Sequence, residues 1–223
     1  MTGQYAKVSL GECCEIISGA TPKISVEEYW DGEFCWATPK DLSNLGAPYI
    51  ADTQRKITAA GLQSCATRLL PTGSVLLSSR APIGYVAINE VPMATNQGFK
   101  NLIPDPSKVG AKYLYHWIRA NRIYLDSLGN GATFKEVSKE VVSRVEIPLP
   151  NIMEQRQIAE VLDQAEVLRV KRRQALAQLD ELIRSIFLDM FGDPVRNTKD
   201  FPLVRLGDLT DIGNGSTPSR KSP

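Results

Sequence analysis

NIMEQRQIAEVLDQAEVLRVKRRQALAQLDELIRSIFLDM, residues 151–190, is the stretch whose periodicity decides the architecture. From Ile158, alternating steps of three and four land on Ile158, Val161, Ala165, Leu168, Arg172, Ala175, Leu179, Leu182, Ile186 and Asp189, and eight of these ten are apolar. That spacing is a coiled-coil seam. A second row, Leu162, Leu176, Ile183, Phe187 and Met190, widens the stripe, so the helix has more than one neighbour to meet. Pro148 and Pro150 disfavour helix upstream, and Asn151 with Glu154 three residues on has the form of a capping box. Gly192 followed by Pro194 supplies the stop. From Glu154 to Met190 the helix spans about 55 Å at ~1.5 Å per residue, more than a compact domain of this size is wide. It is expected to project, with its seam covered by something else.

The remaining composition allows one sizeable core. Of 223 residues 43% are hydrophobic, enough for one globular unit beside the helix. No apolar run approaches the ~20 residues of a membrane span, and Met1–Leu10 lacks a signal-peptide core, so the expectation is a cytoplasmic protein with no membrane partner. Cys13, Cys14, Cys35 and Cys65 form no C-x-x-C pair and His116 is the only histidine, so no metal site is expected. The thiols read as small buried groups. The net charge of +1 gives no global pull toward nucleic acid. Between Phe34 and Lys139, however, twelve Lys or Arg face six Asp or Glu, which fits either a basic face or an ordinary mixed surface.

The chain also matches itself at an offset of 196. Tyr5 to Pro22 reappears, without a gap, as Phe201 to Pro218: Val8, Leu10, Gly11, Ile16, Gly19, Thr21 and Pro22 recur identically, and Tyr5, Glu12 and Glu15 recur as Phe201, Asp208 and Asp211. A unit of globular part plus helix therefore starts again near the end of the sequence. The expected divisions are a globular domain over 1–150, a coiled-coil spacer over 151–192, and a linker with the start of a second unit over 193–223.

Within the first unit, Val8 to Ser18 reads as a strand or helical turn leading to a turn at Gly19-Ala20-Thr21-Pro22. Phe34 to Thr38 reads as a strand entering a loop at Pro39, and Val75–Leu77 and Ile83–Ile88 as two strands around an Arg-bearing turn. Lys108 to Leu128 carries Leu114, Trp117, Ile118, Leu125 and Leu128 at helical spacing, closed by Gly129. Val145, Ile147 and Leu149 alternate with polar residues as a half-buried strand. Irregularly interspersed strands and helices place the chain in the α+β class, a globular domain followed by one long projecting coiled-coil helix.

Catalytic signatures are absent. There is no G-x-G-x-x-G, Walker loop, H-E-x-x-H or G-x-S-x-G, and no Asn/Asp-Pro-Pro-aromatic loop of the kind that holds a flipped base. The chain is not expected to be an enzyme. Polar turns are more informative. Thr95-Asn96-Gln97-Gly98-Phe99-Lys100 sets two amides able to pair with adenine beside a cation. The same amides could instead hold their own turn. Arg80, in Ser78-Ser79-Arg80-Ala81-Pro82, could reach a phosphate or guanine, or lay its stem over the sheet. The Gly129-Asn130-Gly131-Ala132-Thr133-Phe134-Lys135 turn could approach a phosphate backbone or simply cap a helix. Trp36 fits the core or a base-stacking platform. With Lys23, Thr38 and Lys40 from neighbouring turns, the candidate DNA-contacting set is Lys23, Trp36, Thr38, Lys40, Arg80, Asn96, Gln97, Lys100, Thr133 and Lys135. Arg172 at a seam position needs a carboxylate partner, for which Asp163, Glu166, Asp180 or Glu181 of an antiparallel helix could serve.

These pieces, in this order, resemble the DNA specificity subunit of type I restriction-modification systems. The resemblance rests on Val8-x-Leu10-Gly11 with Gly19-x-Thr21-Pro22, Trp36-x-Thr38-Pro39-Lys40-Asp41-Leu42, Gly73-Ser74-Val75-Leu76-Leu77-Ser78-Ser79-Arg80, and Thr95-Asn96-Gln97-Gly98-Phe99. It continues through Ile147-Pro148-Leu149-Pro150 with Glu154-Gln155-x-x-Ile158-Ala159, and Met190-Phe191-Gly192-Asp193-Pro194. Asn151 departs from the family, standing where a second consecutive proline is common, and one recognition domain with one helix stands where the family has two of each. The resemblance implies a non-catalytic reader of half of a bipartite site in double-stranded DNA, with no cofactor of its own. Partner modification subunits, carrying S-adenosylmethionine, would methylate adenine N6, and restriction subunits would act indirectly. A 55 Å rod corresponds to roughly 16 base pairs at ~3.4 Å of rise. One reader per chain implies a homodimer through antiparallel pairing of Ile158 to Ile186. The rival expectation is a coiled-coil scaffold that binds only protein.

Overall fold

Val75, Leu76 and Leu77 are apolar without alternation because both faces of their strand are covered. In the computed structural model, which describes residues 5–43, 45–80, 82–131 and 135–215, β6 (Val75–Ser78) is the central strand of a five-stranded sheet. Its order is β2 (Cys14–Ser18), β9 (Phe99–Pro104), β6, β7 (Val86–Asn89) and β4 (Tyr49–Ile50). All neighbours run antiparallel except β4, which is parallel to β7. Successive residues of β6 point to opposite faces. Val75 and Leu77 join Ile16, Leu102, Leu114, Ile118, Leu125 and Val142 on one side. Leu76 joins Ile17, Leu42, Leu70, Met93 and Phe99 on the other.

A three-stranded sheet lies at the second of these faces, ordered β5 (Lys56–Ile57), β3 (Trp30–Ala37), β8 (Met93–Thr95). It has a small cluster of its own, Trp30, Trp36, Ile57 and Ala94. β1 (Lys7–Ser9) pairs with β10 (Glu146–Pro148), tying the start of the domain to the residues just before the long helix. Short helical elements fill the connections: α1 (Leu10–Cys13), α2 (Pro39–Ser43), α3 (Ala59–Gln63), and α6 (Lys139–Arg144). The α+β expectation therefore holds.

Two local expectations need correction. The helix predicted over Lys108–Leu128 is two, α4 (Ala111–Ala120) and α5 (Arg122–Ser127). The break is at Asn121, at φ −102° and ψ 22°, where the side-chain amide donates to the Trp117 carbonyl at 2.8 Å and competes with the helical ladder. The strand predicted over Phe34–Thr38 begins four residues earlier, and Pro39 opens α2 rather than a loop, as its fixed φ allows at a first helical position.

The long helix, α7, runs Ile152–Phe191 without interruption. Its capping box forms as the sequence indicates: Asn151 Oδ1 accepts from the Glu154 amide at 3.0 Å, and the Asn151 amide donates to Glu154 Oε2 at 3.3 Å. Gly192 ends it at φ +72°, the left-handed conformation that glycine adopts without a side-chain clash. The described residues divide into two compact units, one ending at Glu166 and one beginning at Val167.

In the first unit the opening turns of α7 are docked on the domain. Gln155 and Ala159 are buried, and Ile158 packs against the main core. Gln155 accepts from the Gly110 amide at 2.9 Å and donates to the carbonyls of Lys108 (2.9 Å) and Pro150 (2.8 Å). Asp163 accepts from Lys112 and from the His116 ring, each at 2.7 Å, and Glu166 from Arg119 at 2.9 Å. These two carboxylates, offered above as partners for Arg172 of another helix, are thus engaged within the domain. In the second unit, the seam side chains Leu168, Leu179, Leu182 and Ile186 and the neighbouring Leu176, Ile183, Phe187 and Met190 are exposed.

The self-match is structural as well as sequential. α8 (Leu206–Leu209) is the counterpart of α1, and the flanking residues repeat its backbone: Arg205 at φ −71° and ψ 138° against Ser9 at −72° and 149°, Thr210 at −156° and 150° against Cys14 at −141° and 144°. Burial does not repeat. Leu10 is inaccessible, whereas Leu206 is exposed.

Candidate nucleic-acid interface

β2 and β6 end, and β9 begins, at the same end of the central sheet, because both pair antiparallel with β9. The turns that follow are held together by named contacts. The residue 19–23 turn is fastened to the residue 95–98 turn by Gly19 N to Phe99 O (3.3 Å) and Ala20 N to Thr95 O (3.0 Å). A side chain at Gly19 would fall on the carbonyl oxygens of Thr95 and Asn96, so the two turns approach backbone to backbone. Two indoles brace the first turn: Trp36 Nε1 donates to Ala20 O at 3.0 Å and Trp30 Nε1 to Lys23 O at 3.3 Å. The rings meet edge to face, 5.1 Å between centroids, with the Arg55 guanidinium 3.7 Å over Trp30.

Asn96 Oδ1 accepts from its own turn at Gly98 N, 2.9 Å away, and the Asn96 amide donates to Ala37 O at 2.9 Å, joining this turn to the end of β3. The Thr21 hydroxyl is hydrogen-bonded to the exposed Gln97 side chain. Gly98 faces Pro39 and the Arg80 stem, and its carbonyl accepts from Ser79 N at 2.7 Å. Thr38 caps α2 through Asp41, which accepts from its amide and hydroxyl at 2.8 and 2.6 Å, leaving Lys40 exposed on the first turn.

Arg80, Asn96 and Gln97 therefore share one patch, with Thr38 and Lys40 adjoining through Pro39 and Lys23 adjoining through Thr21. Other candidates sit differently. Trp36 is buried, its indole spent on the 19–23 turn. The Lys100 side chain is 8% exposed and its amine is 2.9 Å from Glu136. Lys135 pairs with Asp126 of α5 at 2.6 Å. Thr133 lies outside the described residues. Thr21, Arg55 and Glu136 belong to this neighbourhood and were not singled out from sequence. Thr21 stood inside a quoted motif, whereas Arg55 and Glu136 carried no local signal.

Hydroxyl, amide and cationic groups on braced turns can bind a ligand that is both anionic and rich in hydrogen-bonding edges. Among the described residues no group of three or more His, Cys, Asp or Glu could hold a metal ion, and no helix is long and apolar enough to cross a membrane. The arrangement is that of a binding domain. A family model of the type I restriction modification DNA specificity domain matches residues 3–178, and the chain belongs to that family. It is 36% identical over 219 residues to the type I restriction enzyme MjaIX specificity subunit of Methanocaldococcus jannaschii, covering 91% of this chain and 50% of that protein. To the EcoR124I/EcoR124II specificity subunit of Escherichia coli it is 30% identical over 173 residues, covering 74% and 42%.

Among solved structures, the HsdS subunit from Thermoanaerobacter tengcongensis superposes with a TM-score of 0.62 at 25% identity, over 86% of this chain and 46% of that one. A chain from a type I R-M system studied for complex assembly and conformational transition gives 0.67 at 24% identity, over 83% and 44%. The chain spans about half the length of the curated relatives it matches.

Proposed function

We propose that this chain is a non-catalytic reader of one half of a bipartite site in double-stranded DNA, and that it directs type I modification subunits, which hold S-adenosylmethionine, to methylate adenine there. Restriction subunits act through the same complex. The observation that carries this reading is the gathering of Arg80, Asn96, Gln97 and Thr21 on turns fixed by backbone contacts at one end of the sheet. Amides and guanidinium groups make the bidentate contacts that distinguish bases in the major groove, while Lys23 and Lys40 beside them suit phosphate.

The test is reconstitution of the chain with modification subunits, followed by mapping of methylated adenines. The combined variant Arg80→Ala, Asn96→Ala, Gln97→Ala should remain folded and lose site-specific methylation. A folded variant with an unchanged methylation map would overturn the assignment.

The exposed apolar side chains of α7 between Val161 and Ile186 support antiparallel pairing with the same stretch of a second copy. Pairing Ile158 against Ile186 end for end would set Arg172 on Arg172 of the partner helix, which like charges disfavour. Sliding the helices so that Leu168 meets Leu179 sets Arg172 beside Ala175 and keeps apolar side chains in the seam. A sedimentation measurement giving only monomer at micromolar concentration would contradict this pairing.

A further inference from the structure

Glu136 lies between Arg80 of the proposed reading face and the buried Lys100 behind it. Its Oε1 is 2.9 Å from Lys100 Nζ and its Oε2 is 3.8 Å from Arg80 Nη1. The two contacts are unequal in kind. Lys100 rises from β9 with its side chain 8% exposed, so its charge is matched by the carboxylate at hydrogen-bonding distance. Arg80 is 35% exposed and beyond hydrogen-bonding distance, held by attraction alone. The backbone fixes the group as well: Arg80 and Glu136 face each other across an isolated antiparallel bridge, and Val137 N donates to Ser79 O at 2.9 Å. Two cations and one carboxylate leave a net charge of +1, and the outer member, Arg80, is the one that can present it to a ligand.

We infer that Glu136 is a specificity-determining residue of the reading face: it competes with DNA phosphate for Arg80, so that Arg80 commits only where a base edge offers bonds the carboxylate cannot match. Lys100 is a positioning residue, whose buried amine holds Glu136 and weakens its hold on Arg80. This rests on the reading of the chain as a DNA reader. Phosphate contacts carry no sequence information, so a tethered carboxylate that competes with them lowers binding to every sequence. A bidentate guanidinium–guanine contact is available only at the correct base pair. The net result is weaker non-specific binding and a larger ratio between correct and incorrect sites.

The two residues have opposite expected effects, which a purely structural role would not produce. Glu136→Gln keeps the shape and an acceptor for Lys100 while freeing Arg80. Lys100→Met leaves Glu136 to act on Arg80 alone. Binding is measured for the full chain assembled with modification subunits, on a duplex containing the mapped site and on one of equal length without it, across a salt series.

Glu136→Gln should tighten binding to the site-free duplex about fivefold or more and steepen the logarithmic salt dependence by about 0.9, the increment for one added phosphate contact. The ratio between the duplexes should shrink. Lys100→Met should weaken binding to both duplexes and flatten the salt dependence. Glu136→Gln binding both duplexes as the unaltered chain does, or shifting both by the same factor, overturns the inference, whatever the folding of Lys100→Met. Failure of the unaltered chain to distinguish the two duplexes would instead overturn the proposed function.

Discussion

Replacing Gln155 with leucine is the most direct test of how the long helix is joined to the domain. The side chain is buried, both of its N–H groups donate to carbonyls, those of Lys108 and Pro150, and its oxygen accepts from the Gly110 amide. Leucine roughly preserves the volume, so the cavity contribution stays small. What is lost is three hydrogen bonds, each worth about 1 kcal/mol net, with up to 1–3 kcal/mol for a main-chain group left buried and unpaired. Lys108 is an exposed residue and Gly110 a half-buried one, so water can replace part of the loss there, whereas Pro150 is buried. The sum is a destabilisation of about 2–4 kcal/mol, a large share of the ~5–15 kcal/mol that holds a domain of this size. Urea unfolding should show the midpoint falling, and amide exchange should quicken over residues 152–159. Gln155→Glu should cost more, because a carboxylate keeps the acceptor but turns negative oxygens toward two carbonyls. Burial raises the pKa of such a carboxyl, so its deficit should grow as pH rises above the ordinary glutamate value of ~4.3. A loss under about 0.5 kcal/mol in Gln155→Leu, with unchanged exchange, would refute the account of the joint.

Other expectations follow from the same contacts. Burial works to raise the Asp163 pKa, but the hydrogen bonds and charges of Lys112 and His116 outweigh it and hold the carboxyl below its usual range. Its folded pKa being depressed, the stability it contributes is present above the unfolded value of ~3.9 and is lost as pH falls through the folded one. Asp163→Asn should therefore remove about 1–2 kcal/mol near neutrality, a figure kept low because the side chain is 28% exposed, and should flatten the acid limb of a stability–pH curve. An unchanged acid limb would count against this pair. Gly19→Ala should push the 19–23 turn off the 95–98 turn, at a cost of about 1–3 kcal/mol, and should reduce site-specific methylation in the reconstituted complex. Full activity with unaltered stability would show that the close approach is not needed. For the proposed pairing, oxidation of the Leu168→Cys, Leu179→Cys double variant should give a covalent dimer. A covalent dimer from Arg172→Cys alone would favour the end-for-end arrangement.

What the sequence displayed was the chemistry that acts between near neighbours. The limits of α7 were legible because each end is set locally, the start by the Asn151–Glu154 capping box and the stop by the left-handed Gly192. The apolar run at Val75–Leu77 showed a strand, whereas its burial on both faces depends on what the fold packs against it. Asn121 was opaque, since its amide could turn to solvent or to the Trp117 carbonyl, and only the packed structure chooses. Lys100 stood beside Asn96 and Gln97 in sequence and was grouped with them. Its strand carries it into the interior, to a carboxylate 36 residues away. Arg55 likewise needs the fold to bring it to Trp30. The repeat at 196 residues predicted the backbone of α8, because that turn is written in local sequence, but not its exposure, which depends on what a domain places against it.

The bracing of the 19–23 turn by Trp30 and Trp36 gives the protein an optical gauge of its own. Both indole N–H groups are committed to that segment, and the charged guanidinium of Arg55 lies 3.7 Å over the Trp30 ring, where its field acts on the indole. The third indole, Trp117, packs on the main core and reports on the body of the domain instead. Emission from the first pair will follow events at the turn, and Trp117→Phe would isolate that signal without any attached dye.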